Sequence, residues 1–174
     1  MILTGHEIKK QLSHGRLVIE PFTADQINPN SYDFRLNDTV LTYDSELLDS
    51  RVENSTTSTV IPPSGLRLEP TRVYLASTFE VMGSDHYVPI IRAKSSIARL
   101  GLFIHVTADL IDIGSVNRWT LQLHAVQPLI IYPGMLIGQV TFWEPVGGIS
   151  LYDGKYKGSM SAMASLAYKD FLTS

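Results

Sequence analysis

Lys94-Ser95-Ser96-Ile97-Ala98-Arg99-Leu100-Gly101-Leu102-Phe103-Ile104-His105-Val106-Thr107-Ala108-Asp109-Leu110-Ile111-Asp112 sets a hydroxyl-rich, basic turn in front of an apolar strand that ends at a carboxylate. Lys94 and Arg99 flank two adjacent hydroxyls, so the turn can offer cations, neutral donors and backbone N–H groups to a polyphosphate. Ser95 or Ser96 is predicted to cap a short helix running through Arg99, with Gly101 ending it in a left-handed conformation. On spacing alone, the same residues are better described as an ordinary capped turn with exposed charges.

On either side of this stretch the chain alternates short apolar runs with turn residues. Strands are predicted over Arg16 to Ile19, Tyr32 to Leu36, Val73 to Val81, Val88 to Ala93, Leu102 to Val106, Trp119 to Ala125, Leu129 to Tyr132 and Leu136 to Trp143, all rich in branched and aromatic residues. Such spacing predicts a β-sandwich or barrel. A helix opens the chain: Thr4 with Glu7 forms a capping box, and Ile8 and Leu12 continue an apolar stripe to about His14-Gly15. Asp44 to Thr59 is polar and reads as a long surface loop or hairpin excursion. The tail from Tyr152 to Ser174 carries Gly154, Gly158 and a run of small residues from Ser159 to Ser165, and on composition it is a mobile C-terminus. No repeat or linker divides the chain, so residues 1–174 read as a single domain.

Composition narrows the function. A net charge of −3 argues against nucleic-acid polymers, which normally require a basic face, but a few local cations suffice for one nucleotide. The absence of cysteine excludes disulfides and thiolate metal sites, including the His and Cys zinc sites of zinc deaminases. No histidine cluster has metal-ligand spacing, so no protein-held metal is expected. Without an apolar run long enough for a bilayer or a signal sequence, the expected setting is cytoplasmic, away from membranes.

Several segments, in order, resemble the dCTP deaminase branch of the dCTP deaminase and dUTP diphosphatase superfamily. They are Met1-Ile2-Leu3-Thr4-Gly5, Asn28-Pro29-Asn30-Ser31-Tyr32-Asp33-Phe34-Arg35-Leu36, the Lys94 to Asp112 block, Pro133-Gly134-Met135-Leu136-Ile137-Gly138-Gln139 and Tyr152-Asp153-Gly154-Lys155-Tyr156. The resemblance implies a mostly β, dUTPase-like distorted barrel or sandwich with one N-terminal helix and a short helix after Ser95. It implies a homotrimer with each site between neighbouring subunits. Lys94, Ser95, Ser96 and Arg99 would grip phosphates from one subunit, while His105, Val106, Thr107 and Ala108 would meet base and sugar from the other. Tyr152 and Lys155 would make nucleotide contacts from a lid formed by residues 152–174. Mg²⁺ would ride on the triphosphate of a bound dCTP or dUTP, held mostly by phosphate oxygens and water.

The implied reaction is metal-independent deamination of dCTP to dUTP. Water attacks C4 while N3 and the leaving amine are protonated, which needs a residue that carries a proton both ways. In the family a strand glutamate does this, and its place is taken here by Gln122, whose carboxamide has no useful basicity near neutral pH. Strand alternation puts Thr120, Gln122 and His124 on one face, so Gln122 still points into the site. Asp112 matches the aspartate that orients attacking water in the dUTP diphosphatase relatives, although a strand-end Asp also commonly caps a turn such as the one through Gly114. Asp109 and His124 read more simply as a solvated loop acid and a packed strand histidine.

Other departures accompany Gln122. The usual aromatic after the Asp-x-Gly segment is Ser115, the next glycine is missing from Val116-Asn117-Arg118, the lid glutamine is Ser159, and Lys94 stands for an arginine. Together they read as drift from the standard activity rather than a single introduced Glu-to-Gln change. The functions in play are a dCTP deaminase, a Mg-dependent diphosphatase working through Asp112, and a catalytically silent nucleotide-binding or regulatory relative.

Overall fold

The structure is a computed structural model that describes residues 1–172. Thr4 starts helix α1 (Gly5–Ser13), its hydroxyl accepting the Glu7 N–H at 3.3 Å. Only half of the expected capping box forms, because the Glu7 carboxylate turns away to accept from Gln11 at 2.5 Å. Ile8 is fully buried and seats the helix on the end of the barrel.

The β-rich expectation is met by strands β1 (Val18–Glu20), β2 (Tyr32–Tyr43), β3 (Thr56–Val60), β4 (Leu66–Leu68), β5 (Tyr74–Thr78), β6 (Val81–Gly83) and β7 (Val88–Ala93). The short helix α2 (Ser95–Ala98) comes next, then β8 (Leu102–Phe103), β9 (Thr120–Ala125), β10 (Leu129–Ile131) and β11 (Leu136–Trp143). A seven-stranded antiparallel sheet runs β7-β11-β2-β5-β9-β8, with β3 added beside β2. Two small ladders, β1 with β6 and β10 with β4, help wrap it into a distorted barrel. Tyr32, Phe34 and Leu36 of β2, Leu121 and Leu123 of β9, and Ile137, Val140 and Phe142 of β11 fill the centre with no exposed surface.

Several predicted boundaries move. β2 runs on to Tyr43 and pairs with β3, so Asp44 to Thr59 is a hairpin excursion whose return limb is a strand. Its Ser/Thr content hid that limb, because β3 is held by its ladder and buries almost nothing. The Val73 to Val81 run breaks into β5 and β6, since Thr78 turns its hydroxyl onto the Glu80 carbonyl at 2.8 Å. α2 is capped by neither serine: Lys94 occupies the cap position and makes no side-chain cap bond, and the helix ends at Ala98. Gly101 does adopt the left-handed region, at φ 80°. A Cβ there would stand 2.4 Å from the Val126 side chain.

The Lys94 to Asp112 block therefore makes a loop out of the sheet and back. After β8, the Ile104 carbonyl accepts the Gln122 N–H at 2.9 Å, and the chain then returns along β7, with Ile91 N–H on the Asp109 carbonyl at 2.9 Å. That return carries Asp112 to the same end of the barrel as the middle of β9.

Candidate active site

A cleft of about 410 Å³ opens at that end, between β9, the return segment and the C-terminal tail. Gln122, Asp112, Ala108 and Tyr152 all line it, so four of the residues singled out by sequence share one wall system. Gln122 reaches it because β9 alternates: Leu121 and Leu123 are fully buried while Thr120, Gln122 and His124 are half-buried on the other face.

The carboxamide of Gln122 is oriented by its own strand. Its Nε2 donates to the Thr120 carbonyl at 3.0 Å, and that carbonyl can only accept, so nitrogen must face it. Oε1 is buried without a hydrogen-bond partner among the described residues. The residue at this place is thus a neutral amide, where proton transfer would need a titratable group. His105 Nδ1 is likewise buried and unpartnered, while its main-chain neighbour Ile104 braces Gln122.

Asp112 is exposed on the cleft wall. The turn beyond it is closed by its backbone carbonyl, which accepts Ser115 N–H at 3.1 Å, so the carboxylate is not consumed as the turn's cap. It is the single charged side chain among the residues lining the cleft.

The residues expected to grip phosphates lie elsewhere. Ser95, Ser96 and Arg99 are exposed on α2 and its end, outside this cleft. Lys94 is ion-paired with the buried Asp33 carboxylate, whose other oxygen accepts from Asn28 at 2.8 Å. Val106 is exposed, and His105, Val106 and Thr107 do not line the cleft. Lys155 also sits outside it; a 2.6 Å bond to Asp170 raises its pKa and commits its charge within the tail.

Sequence reasoning gave no site role to Tyr43, Leu75, Asn117, Tyr156 and Met163, which also line the cleft. Tyr43 carried no signal, since β2 was expected to end before it. The tail residues belong to a segment whose composition suggested mobility, yet Met163 N–H is held by Thr120 Oγ1 at 3.1 Å and Ser165 N–H by the Tyr43 hydroxyl at 2.9 Å.

Comparison with known proteins adds four findings. A family model described as dCTP deaminase-like matches residues 2–145. A Clostridium acetobutylicum protein named "dCTP deaminase, dUMP-forming" is 44% identical over 173 residues, covering 99% of each chain. A Cytophaga hutchinsonii protein of the same name is 43% identical over 172 residues, covering 98% of this chain and 99% of its own. The solved structure of 2'-deoxycytidine 5'-triphosphate deaminase from Agrobacterium tumefaciens superposes with a TM-score of 0.63 at 21% identity. That alignment covers 81% of this chain and 47% of the other, so the chain spans about half the length of that protein and the likeness speaks to fold. The fold and the sequence agree: this chain belongs to the dCTP deaminase-like family.

Proposed function

We propose that this protein binds dCTP in the cleft and that Gln122 holds the base without deaminating it. The observation that carries the reading is Gln122 itself, a strand-tethered amide lining the cleft whose acceptor oxygen is buried and has no partner among the described residues. An acceptor suits an exocyclic amine, which donates, and it opposes a carbonyl at the same place. Deamination would form a bond from water oxygen to C4 and break the C4–N bond, releasing ammonia. The water must lose a proton and the ring nitrogen and leaving amine must gain protons, and the amide can mediate neither transfer. A missing general base costs about 10²–10⁴ in rate, so binding survives where turnover does not.

The phosphates need cations that the cleft lining lacks. The proposal therefore includes a homotrimer in which Ser95, Ser96 and Arg99 of a neighbouring copy complete each site. Two exposed apolar residues beside the cleft, Leu110 at 61% and Leu151 at 52%, are available for such a contact. No cluster of His, Cys, Asp and Glu among the described residues could hold a metal, so Mg²⁺ would enter on the triphosphate.

A second reading rests on Asp112. The similar proteins are named for dUMP as product rather than dUTP, and forming a monophosphate requires pyrophosphate to leave. The unconsumed Asp112 carboxylate could position water for that step without any proton shuttle at the base. One experiment separates the readings: incubate the purified protein with dCTP and Mg²⁺, measure binding, and resolve products. Binding with no ammonia is expected, and Gln122→Glu should raise ammonia release by about 10²–10⁴. Pyrophosphate release from the unaltered protein, lost in Asp112→Asn, would favour the second reading. Failure to bind dCTP would defeat both.

A further inference from the structure

Ser115 and Asn117 are far from Ser159 in the sequence, but in the structure the three are one cluster. Asn117 is buried, 3% exposed, at the entry to β9. Its backbone is fixed to the barrel by reciprocal bonds with Met82, at 2.9 and 3.0 Å. Its side chain spends every group on neighbours: Nδ2 donates to Ser115 Oγ at 2.9 Å and to the Tyr156 carbonyl at 3.4 Å, and Oδ1 accepts the Gly158 N–H at 2.7 Å. One residue further on, Arg118 N–H donates to the Ser159 carbonyl at 3.1 Å, and Ser159 Oγ donates back to the Arg118 carbonyl at 3.3 Å.

A glycine at position 117 could make none of the side-chain bonds, and the bonds of Arg118 to Ser159 and Met160 would be left to hold this part of the tail. With asparagine there, the tail is joined to the barrel beside Ser115, and the next segment lies along Thr120 and Tyr43 over the cleft. Every bond in this fastening is made within the chain, so none requires a ligand to hold it.

We infer that Asn117 is a positioning residue that latches the tail over the cleft, so that this protein exchanges its nucleotide slowly. The inference rests on the cleft being the nucleotide site, but its main readout does not. A nucleotide would enter or leave only when the Asn117 bonds open, and Tyr152 and Tyr156 would already stand at their places on the cleft wall. Retention of an unreacted nucleotide is the behaviour such a latch produces.

The test compares wild type, Asn117→Gly and Ser159→Ala by amide hydrogen exchange without nucleotide, then by dissociation of a fluorescent dCTP analogue. In wild type the amides of Gly158, Ser159, Met163 and Ser165 are expected to be protected. Asn117→Gly should speed their exchange at least about tenfold while the amides of β5 and β9 keep theirs, and Ser159→Ala should act in the same direction more weakly. Analogue dissociation should accelerate about tenfold in Asn117→Gly, with association accelerated as well, which a general loss of stability would not produce. Unprotected tail amides in wild type, or protection and dissociation rates unchanged by Asn117→Gly, would overturn the latch. If the tail is protected and loosened as described but no nucleotide binds, the latch stands and the proposed function fails.

Discussion

Glu80 is the most deeply buried charge among the described residues. It is fully buried, and it accepts from Arg35 Nε at 2.7 Å and the Arg35 N–H at 2.9 Å, with Gln26 at 3.4 Å. Arg35 in turn stacks 4.5 Å from the Phe79 ring centroid. Removing one partner strands the other in a poorly solvated place, which is far costlier than the pair is favourable. Glu80→Ala should lose about 3–5 kcal/mol in urea unfolding monitored by tryptophan fluorescence. Tyr32 gives a pH counterpart: burial raises its phenol pKa above 10.0. The unfolded chain would ionise first, so this contribution to stability is full below pH 10.0 and is lost as pH rises through the raised folded value. Tyr32→Phe should flatten the alkaline limb of a stability curve taken against pH.

Among the elements, β11 shows what sequence could and could not disclose. Its span was legible because a Pro-Gly turn precedes eight residues of nearly unbroken apolar and branched character. The requirement at Gly138 was not, since it depends on a ring arriving from another strand: a Cβ there would lie 2.2 Å from Phe34 Cζ and 2.7 Å from Ile104 Cδ1. Gly138→Ala should therefore destabilise the protein by about 1–3 kcal/mol, seen as a lower urea midpoint with an unchanged slope. The same limit governed the site. Gln122 and Asp112 were singled out by the family resemblance, and period-two alternation added only that Gln122 faces away from the core. Asn117 and Tyr43 owe their places to the tail folding back, a contact between distant parts of the chain that no local pattern encodes. β3 was missed for the opposite reason, because its serines and threonines are held by pairing and not by burial.

Across the whole molecule, the cleft and the cationic turn are separated, and the proposed assembly joins them between copies. Light scattering should give three times 19.3 kDa for the protein in solution. A mixing experiment tests the division more directly. Arg99→Ala would spoil the phosphate half of a site, and Ala108→Trp would fill the cleft half. Each variant alone should fail to bind dCTP, whereas refolding an equimolar mixture should recover about a quarter of the sites, those built from two unspoiled halves. No recovery would place the phosphate grip within a single chain.

The barrel is stitched shut by its own first residues. Ile2 bridges to Trp143, Leu3 N–H donates to the Phe142 carbonyl at 2.9 Å, and the Glu144 N–H returns to the Met1 carbonyl at 2.8 Å. The seam closes almost where the family match ends, at residue 145. Beyond that seam the chain is an attachment laid on a finished container, so the fastening can loosen while the vessel keeps its shape.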